Sequence, residues 1–514
     1  MLESLPSSTK AQKNVLTDGQ LTCTYQELPE VFEALQQYFD QRGISITDCF
    51  ALECDNTVSS ALVLLYLLEG GYRFLLLPQE VNPPQVLGSK QSLPRFCRYR
   101  IRTGSFTDKP KAPNFRYPEQ FVDIVENEDW IGDGPSATAE CDRIGINPIQ
   151  ENNPSRKLYI RTSGSTGKPK IAVHSHDKLL RNALNCLQRL GLKQDDRIAI
   201  PVPIYHMYGL GAAFLPGVMA GASIDLQKNS NLLKYVQRER DFNPNVAFMT
   251  PMFCETLLKG RKTSRKYNLT VVAGDRIRED TFVRFESRFG SLVSLYGSTE
   301  MGAMAASSPD QPQEVRLKTV GKPMSGVKIT LAKDNTDGVS ELWCHHDYGF
   351  EGYVDQDGKP ISQGIQTQTD WFGTKDLGRI WSDGHLEVIG RCDYSVNRNG
   401  LLVLLADVER GIETIEGIDS VVVVSQGESQ RGKGIVAYCV LAKDSNIPEA
   451  DIRAACFDIL PRHGIPDRIF LVNSFPKLPN GKVDRLKLIG MHDQGKGKHM
   501  RYAHAARTAV SGQP

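Results

Sequence analysis

The first clear pattern in the chain is that of a helix with one apolar face. In LTCTYQELPEVFEALQQYFDQRG, residues 21–43, apolar positions Leu28, Val31, Phe32, Leu35, Tyr38 and Phe39 recur at helical spacing after Thr24. ITDCFALEC then reads as a strand, SSALVLLYLLEGG as a helix closed by Gly70 and Gly71, and RFLLLP as a second strand. This alternation predicts an α/β architecture built on parallel sheet. Residues 82–155 are richer in Pro, Asn and other polar residues and support no assignment. Across 157–300 the alternation resumes: strand KLYIRT, a helix from about Asp177, strand DRIAIPV, a buried helix pair within Met207–Ala222, strand ASIDL, a further helix, then strands VAFMT, NLTVVAG and SLVSLYG. Short strands with turn signals over 316–391 predict a β-rich subdomain. The last hundred residues read as a compact α+β unit with strands at LLVLL, SVVVVS and GIVAYCVLA.

Composition narrows the class. At 514 residues the chain is long enough for two to four compact units. Its 40% hydrophobic and 24% charged residues are ordinary for a globular protein with large cores. A net charge of +1 argues against a broad surface for nucleic acid or anionic lipid. The 11 cysteines are scattered, odd in number and never spaced C-x-x-C, which reads as reduced core thiols of a cytoplasmic protein. No signal peptide is visible, and the apolar run at 61–68 is too short to span a bilayer. A cytoplasmic protein without nucleic-acid or membrane partners is expected.

The most informative chemistry lies at 158–176, LYIRTSGSTGKPKIAVHSH. An apolar strand runs directly into Thr162, Ser163, Gly164, Ser165, Thr166, Gly167 and Lys168. Glycines let backbone N–H groups approach an anion, hydroxyls donate further hydrogen bonds, and lysine adds charge, which together suit a polyphosphate. Pro169 after Gly167-Lys168 rules out the Walker A pattern. TSGSTGKPK resembles the signature loop of the acyl- and aryl-adenylate-forming superfamily, which includes acyl-CoA synthetases, aryl-CoA ligases, adenylation domains of nonribosomal peptide synthetases, and luciferases. Ile171 stands where a glycine is usual.

Further stretches resemble the same family in the same order. YGSTEMG at 296–302 is similar to its adenine and magnesium motif. The resemblance implies that Tyr296 stacks on adenine, with Gly297 beside it, that Thr299 contacts the phosphates, and that Glu300 helps hold Mg²⁺. A carboxylate suits that ion and an aromatic face suits a purine. VVAGDRI at 271–277 resembles the strand and turn lining the nucleotide and acyl pocket, with Gly274 and Asp275 near adenine. TKDLGRI at 374–380 resembles the T-G-D motif, with Lys375 in the glycine position and Asp376 implied to bind the ribose hydroxyls. IGRCDYSVNRNG resembles the hinge, with Arg391 on the ribose or phosphate and Asp393 as pivot; Val396-Asn397 replaces the usual Ile-Lys, leaving Arg398 as the adjacent charge. FPKLPNGKVDR resembles the motif of the mobile catalytic lysine, here Lys482 after an Asn-Gly turn. These resemblances imply a large N-terminal domain over 1–391 and a small mobile domain over 392–495. A basic flexible tail is expected over 496–514.

IPVPIYHMYGLGAAFLPGVMAGA at 200–222 resembles the segment forming one wall of the acyl pocket, and the resemblance places Tyr205, His206, Gly297 and Met301 near the acid, with His206 beside the carboxylate and the thiol tunnel as a catalytic candidate. Amino-acid-activating relatives usually carry an aspartate in this segment; Tyr205, His206, Met207 and Tyr208 include no carboxylate, which favours an acid without an α-amino group. His206 could also be an ordinary core histidine bonded to backbone. His174, His176, His345 and His346 lack a third spaced ligand and read as turn residues rather than zinc ligands. The expected reaction is ATP- and Mg²⁺-dependent formation of an acyl-AMP with release of pyrophosphate. Transfer to the thiol of coenzyme A, or of phosphopantetheine on a separate carrier protein, follows. An adenylation unit of a natural-product assembly line and a degenerate nucleotide-binding module are the rival readings.

Overall fold

The computed structural model describes residues 12–79, 93–104, 113–132, 156–162, 170–332, 338–361, 367–368, 371–398, 401–429, 432–443, 445–476 and 483–493. It divides into two compact units. One runs to residue 374 and includes 378–388; the other comprises 375–377 and the chain from 389 onward.

The first unit holds two large mixed sheets. The seven-stranded one has the order Gly352–Val354, Lys170–Ser175, Lys157–Thr162, Arg73–Pro78, Cys49–Cys54, Tyr99–Thr103, Val122–Glu126. Its middle four strands are parallel and its flanks antiparallel. The nine-stranded sheet has the order Lys322–Pro323, Gly302–Ala306, Gly290–Ser298, Tyr267–Val272, Val246–Met249, Arg197–Ile200, Ser223–Leu226, Val15–Thr17, Thr22–Thr24. It is parallel from Gly290–Ser298 through Val15–Thr17. The mixed α/β class expected from the alternation is thus the class observed.

Local sequence explains the principal helices. Leu28–Asp40 buries Leu28, Val31, Phe32, Leu35, Tyr38 and Phe39, the same six residues that carried the periodicity. Val58–Gly70 is apolar on every side, and its residues from Val58 to Leu68 are all buried. An apolar surface all round requires protein on all sides. Thr57 caps this helix through Ser60 N–H, and Gly71 ends it at φ 75°. Each leucine sealed there contributes about 1.5–3 kcal/mol relative to exposure.

The segment expected as a buried helix pair is instead a π-helix, Tyr208–Phe214, running into the short α-helix Leu215–Met219. A Cβ on Gly209 would lie 2.0 Å from the Pro203 carbonyl oxygen, so only glycine permits that close approach. Polar Lys170, His174 and Ser175 obscured the strand Lys170–Ser175, which stands between the phosphate-loop segment and the helix His176–Leu190. His174 and His176 are accordingly not turn residues. His174 is a buried strand residue and His176 opens the helix fully buried, while His345 and His346 end the strand Ser340–His346.

A smaller sheet orders Val327–Leu331, Ser340–His346, Trp371–Ile380 and Thr367–Gln368, with Leu386–Arg391 paired to Trp371–Ile380. The chain passes from one unit to the other within Trp371–Ile380 and Leu386–Arg391. The second unit is a five-stranded sheet, Leu401–Leu404, Ser395–Arg398, Gly432–Leu441 and Ile418–Ser429 with Arg468–Leu471 on Gly432–Leu441, accompanied by helices Leu405–Glu413 and Glu449–Ile459. Arg398 is fully buried there. Its guanidinium donates to the carbonyls of His463 (3.2 Å) and Ile465 (3.0 Å) and to Asp467 Oδ1 (2.6 Å). The charge adjacent to Asn397 is thus committed to the core of its own unit. Among the described residues, no helix is long and apolar enough to cross a membrane. The ten described cysteines form no disulfide with one another, and all but Cys392 are buried.

Candidate active site

The candidate residues of the first unit gather at the carboxyl ends of parallel strands, where open α/β sheets bind ligands. Gly290–Ser298 ends in the turn Thr299-Glu300-Met301 and returns as the antiparallel strand Gly302–Ala306. Gly302 takes φ 64°, and a Cβ there would lie 2.6 Å from Asn182 Oδ1. Asn182 is buried and brackets Ala303, accepting from its N–H at 3.0 Å and donating to its carbonyl at 2.9 Å.

Three consecutive carbonyls in the turn accept hydrogen bonds from two other segments, one carrying His174 and one carrying His346 and Phe350. His174 Nε2 donates to Thr299 O (2.8 Å), Phe350 N to Glu300 O (2.8 Å), and His346 Nδ1 to Met301 O (2.7 Å). Burial depresses both histidines to about 4, so at neutral pH they are neutral donors. Tyr296 is 8% exposed and packed in the main core, and Met301 is likewise buried, while Gly297 between them is exposed.

The Glu300 side chain is half-buried. Its Oε1 accepts from the Tyr353 hydroxyl at 2.7 Å, and its Oε2 makes no hydrogen bond among the described residues. Tyr353 pairs with Ala172 across the sheet, and Lys170 Nζ lies 5.2 Å from the Tyr353 ring centroid. Lys170 in turn pairs with Thr162, whose hydroxyl donates to Lys170 O at 3.3 Å. Ser163, Gly164, Ser165, Thr166, Gly167 and Lys168 lie outside the described residues, but of the loop's two anchors Lys170 stands beside the residue that holds Glu300, and Thr162 is paired to Lys170. The donor set fits Mg²⁺, which favours one or two carboxylates supplemented by phosphate and water oxygens. Among the described residues no group of three or more His, Cys, Asp or Glu could hold a metal on its own.

A second group lies at neighbouring strand ends. Tyr267–Val272 leads into Gly274 and Asp275, both exposed; Gly274 has φ 93°, and a Cβ placed on it would meet no atom within 4 Å. Tyr208 ties the adjacent strand ends together, its single hydroxyl proton shared between the carbonyls of Met249 (3.0 Å) and Val271 (2.8 Å). Asn56 bonds the carbonyls of Ile200 (2.8 Å) and Val202 (2.9 Å) and accepts from Ile204 N (2.9 Å), fixing the approach to Tyr205 and His206. His206 is exposed, with its ring 4.6 Å from that of Tyr205, so it is not a core histidine. Burial, then Asp55 and Cys54, raise the Tyr205 phenol above its ordinary range. Asp55 is itself bonded to Lys228 Nζ at 3.0 Å.

In the second unit, Asp376 lies 3.3 Å from Arg391 Nη1. Lys375 adopts φ 61°, in the left-handed region that a glycine enters more readily than a lysine. Asp393 lies in the short 3₁₀ turn Cys392–Tyr394, and Lys482 falls outside the described residues. The sequence reading missed Tyr353, His174, His346 and Asn182 as site residues; only the folded register brings them to the turn.

Comparison with known proteins agrees with these motifs. A family model for AMP-binding enzymes matches residues 107–354, and one for the AMP-binding enzyme C-terminal domain matches 407–482. The chain belongs to the AMP-binding enzymes, the acyl- and aryl-adenylate-forming superfamily. It is 26% identical to a sulfoacetate–CoA ligase of Cupriavidus necator, over 66% of this chain and 68% of the relative. It is 25% identical to a putative acyl–CoA ligase of Bacillus subtilis (94% and 97%) and 28% identical to an anguibactin system regulator of Vibrio anguillarum (96% and 47%). ATP-bound MatB from Rhodopseudomonas palustris has the same fold, with TM-score 0.72 at 18% identity, covering 96% of this chain and 98% of that one. MenE from Bacillus subtilis with its acyl-adenylate intermediate gives TM-score 0.72 at 18% identity, covering 93% and 96%.

Proposed function

We propose that this enzyme uses ATP to convert a carboxylic acid lacking an α-amino group into its acyl-AMP, releasing pyrophosphate, and then transfers the acyl group to the thiol of coenzyme A. One observation carries the reading: through Tyr353, the Lys170 anchor of the Ser/Gly/Lys loop, paired with the other anchor Thr162, is linked to the Glu300 turn. A loop suited to polyphosphate and a carboxylate suited to Mg²⁺ then serve one nucleotide.

In this reading Ser163 to Lys168 cradle the phosphates and Thr299 contacts them. Glu300 holds the magnesium ion, which when bound neutralises phosphate charge. Tyr296, Gly274 and Asp275 border the adenine, while Asp376 and Arg391 bind the ribose. Lys482 stabilises charge shared among carboxylate, phosphorus and departing pyrophosphate. Tyr205, His206, Gly297 and Met301 border the acid. Asp55, whose charge bears on Tyr205, is matched by Lys228 and so is not a free partner for an α-ammonium, which supports an acid without one. Coenzyme A ligases among the relatives favour that acceptor over a carrier protein, and the buried thiols, in no disulfide among the described residues, suit the cytoplasm.

The test is acid-dependent pyrophosphate exchange over aryl, short-chain, long-chain and amino acids, followed by acyl transfer to coenzyme A and to phosphopantetheinylated carriers. Aryl or acyl acids should support exchange, and Lys482→Ala should reduce it on the order of 10²-fold or more. Exchange with amino acids alone would overturn the acid assignment, and transfer only to carriers would overturn the acceptor.

A further inference from the structure

We propose that Tyr353 is the positioning residue for Glu300, its phenol holding one carboxylate oxygen so that the other faces the metal–nucleotide chelate. The inference rests on the function proposed above and extends it to a residue outside the stretches quoted from the sequence.

The geometry over-determines this carboxylate. Behind it, the carbonyls of Thr299, Glu300 and Met301 are held by His174, Phe350 N–H and His346, so the backbone carrying the side chain cannot rotate freely. In front, Tyr353 bonds Oε1 at 2.7 Å. Tyr353 cannot easily move away: it is 8% exposed, and its ring meets Phe350 edge-on at 4.9 Å. Its backbone is registered against Ala172. A fixed donor on one oxygen directs the remaining lone pairs of a metal-binding carboxylate, as partners outside the coordination sphere generally do.

A purely structural tyrosine would show its loss in stability alone. The discriminating experiment measures Mn²⁺ binding by electron paramagnetic resonance and calorimetry in the presence of α,β-methylene-ATP. It uses the full chain as wild type, Tyr353→Phe, Glu300→Gln and the double variant, with melting temperature recorded for each. Tyr353→Phe, which keeps the ring, should weaken Mn²⁺ binding about 10-fold while leaving the melting temperature and metal-free nucleotide affinity near wild type. The double variant should be no weaker than Glu300→Gln alone, because both changes act through one carboxylate. Unchanged Mn²⁺ affinity in Tyr353→Phe, or fully additive losses in the double variant, would overturn the inference while leaving the proposed function standing. A wild-type protein that binds no Mn²⁺–nucleotide would overturn both.

Discussion

Two turns follow neighbouring parallel strands of the nine-stranded sheet, paired at Val272 and Ser294, yet they are built in opposite ways. The turn after Val272 is open. Gly274, Asp275 and Arg276 are exposed, and nothing lies within 4 Å of a side chain added at Gly274. The turn after Ser298 is clamped, with three successive carbonyls and one carboxylate oxygen held from outside it. A carboxylate assigned to a metal must be held to within a fraction of an ångström. A surface bordering a base or an acyl group tolerates more freedom, because contact there is spread over area rather than fixed at one atom.

The largest expected contrast is catalytic. Glu300→Gln should reduce acid-dependent pyrophosphate exchange on the order of 10²-fold or more, whereas Asp275→Asn should cost less than about 10-fold. Equal losses at the two turns would erase the distinction. Next in size is acid sensitivity of the clamp. His174 and His346, with pKa values of about 4 in the fold against 6.5 in the unfolded chain, leave the unfolded state binding more protons between those values. Stability is therefore complete above pH 6.5 and falls as pH drops toward 4. His176, similarly depressed by burial and by Arg156, adds to the slope. Urea unfolding from about pH 7 to about pH 4.5 should show the decline, and it should flatten in His174→Gln; a flat wild-type profile would contradict the neutral clamp.

The smallest effects are backbone ones. Gly274→Ala should cost about 1 kcal/mol, because the position needs φ 93° but meets no steric obstacle. Lys375→Gly should gain a comparable amount, about 1 kcal/mol or less, by relieving the left-handed lysine. Denaturant unfolding measures both, and a stabilising Gly274→Ala would mean that the open turn is not constrained as described.

Much of the framework was legible because it is local. The six-residue face of Leu28–Asp40 and the all-apolar Val58–Gly70 follow from spacing within a few turns. Glu300 and Thr162 were candidates from short motifs. The clamp was not legible, since its bonds join His174 to Thr299 across 125 positions and Tyr353 to Glu300 across 53. His174 read as a turn residue in IAVHSH, where nothing nearby in sequence shows its partner. The same limit hid the environment of Arg398, whose charge is committed to Asp467, 69 positions away.

By itself, then, the sequence determined the α/β alternation, the apolar faces that drive it, and the short stretches that identify the family. Those depend on periodicity and on chemistry within a few residues. Tertiary structure alone decided which polar side chains become donors to the Glu300 turn, which arginine is buried, and which of two neighbouring turns is rigid. Each of these depends on strand order and register, and so on residues far apart along the chain that only burial in a common core brings within hydrogen-bonding distance.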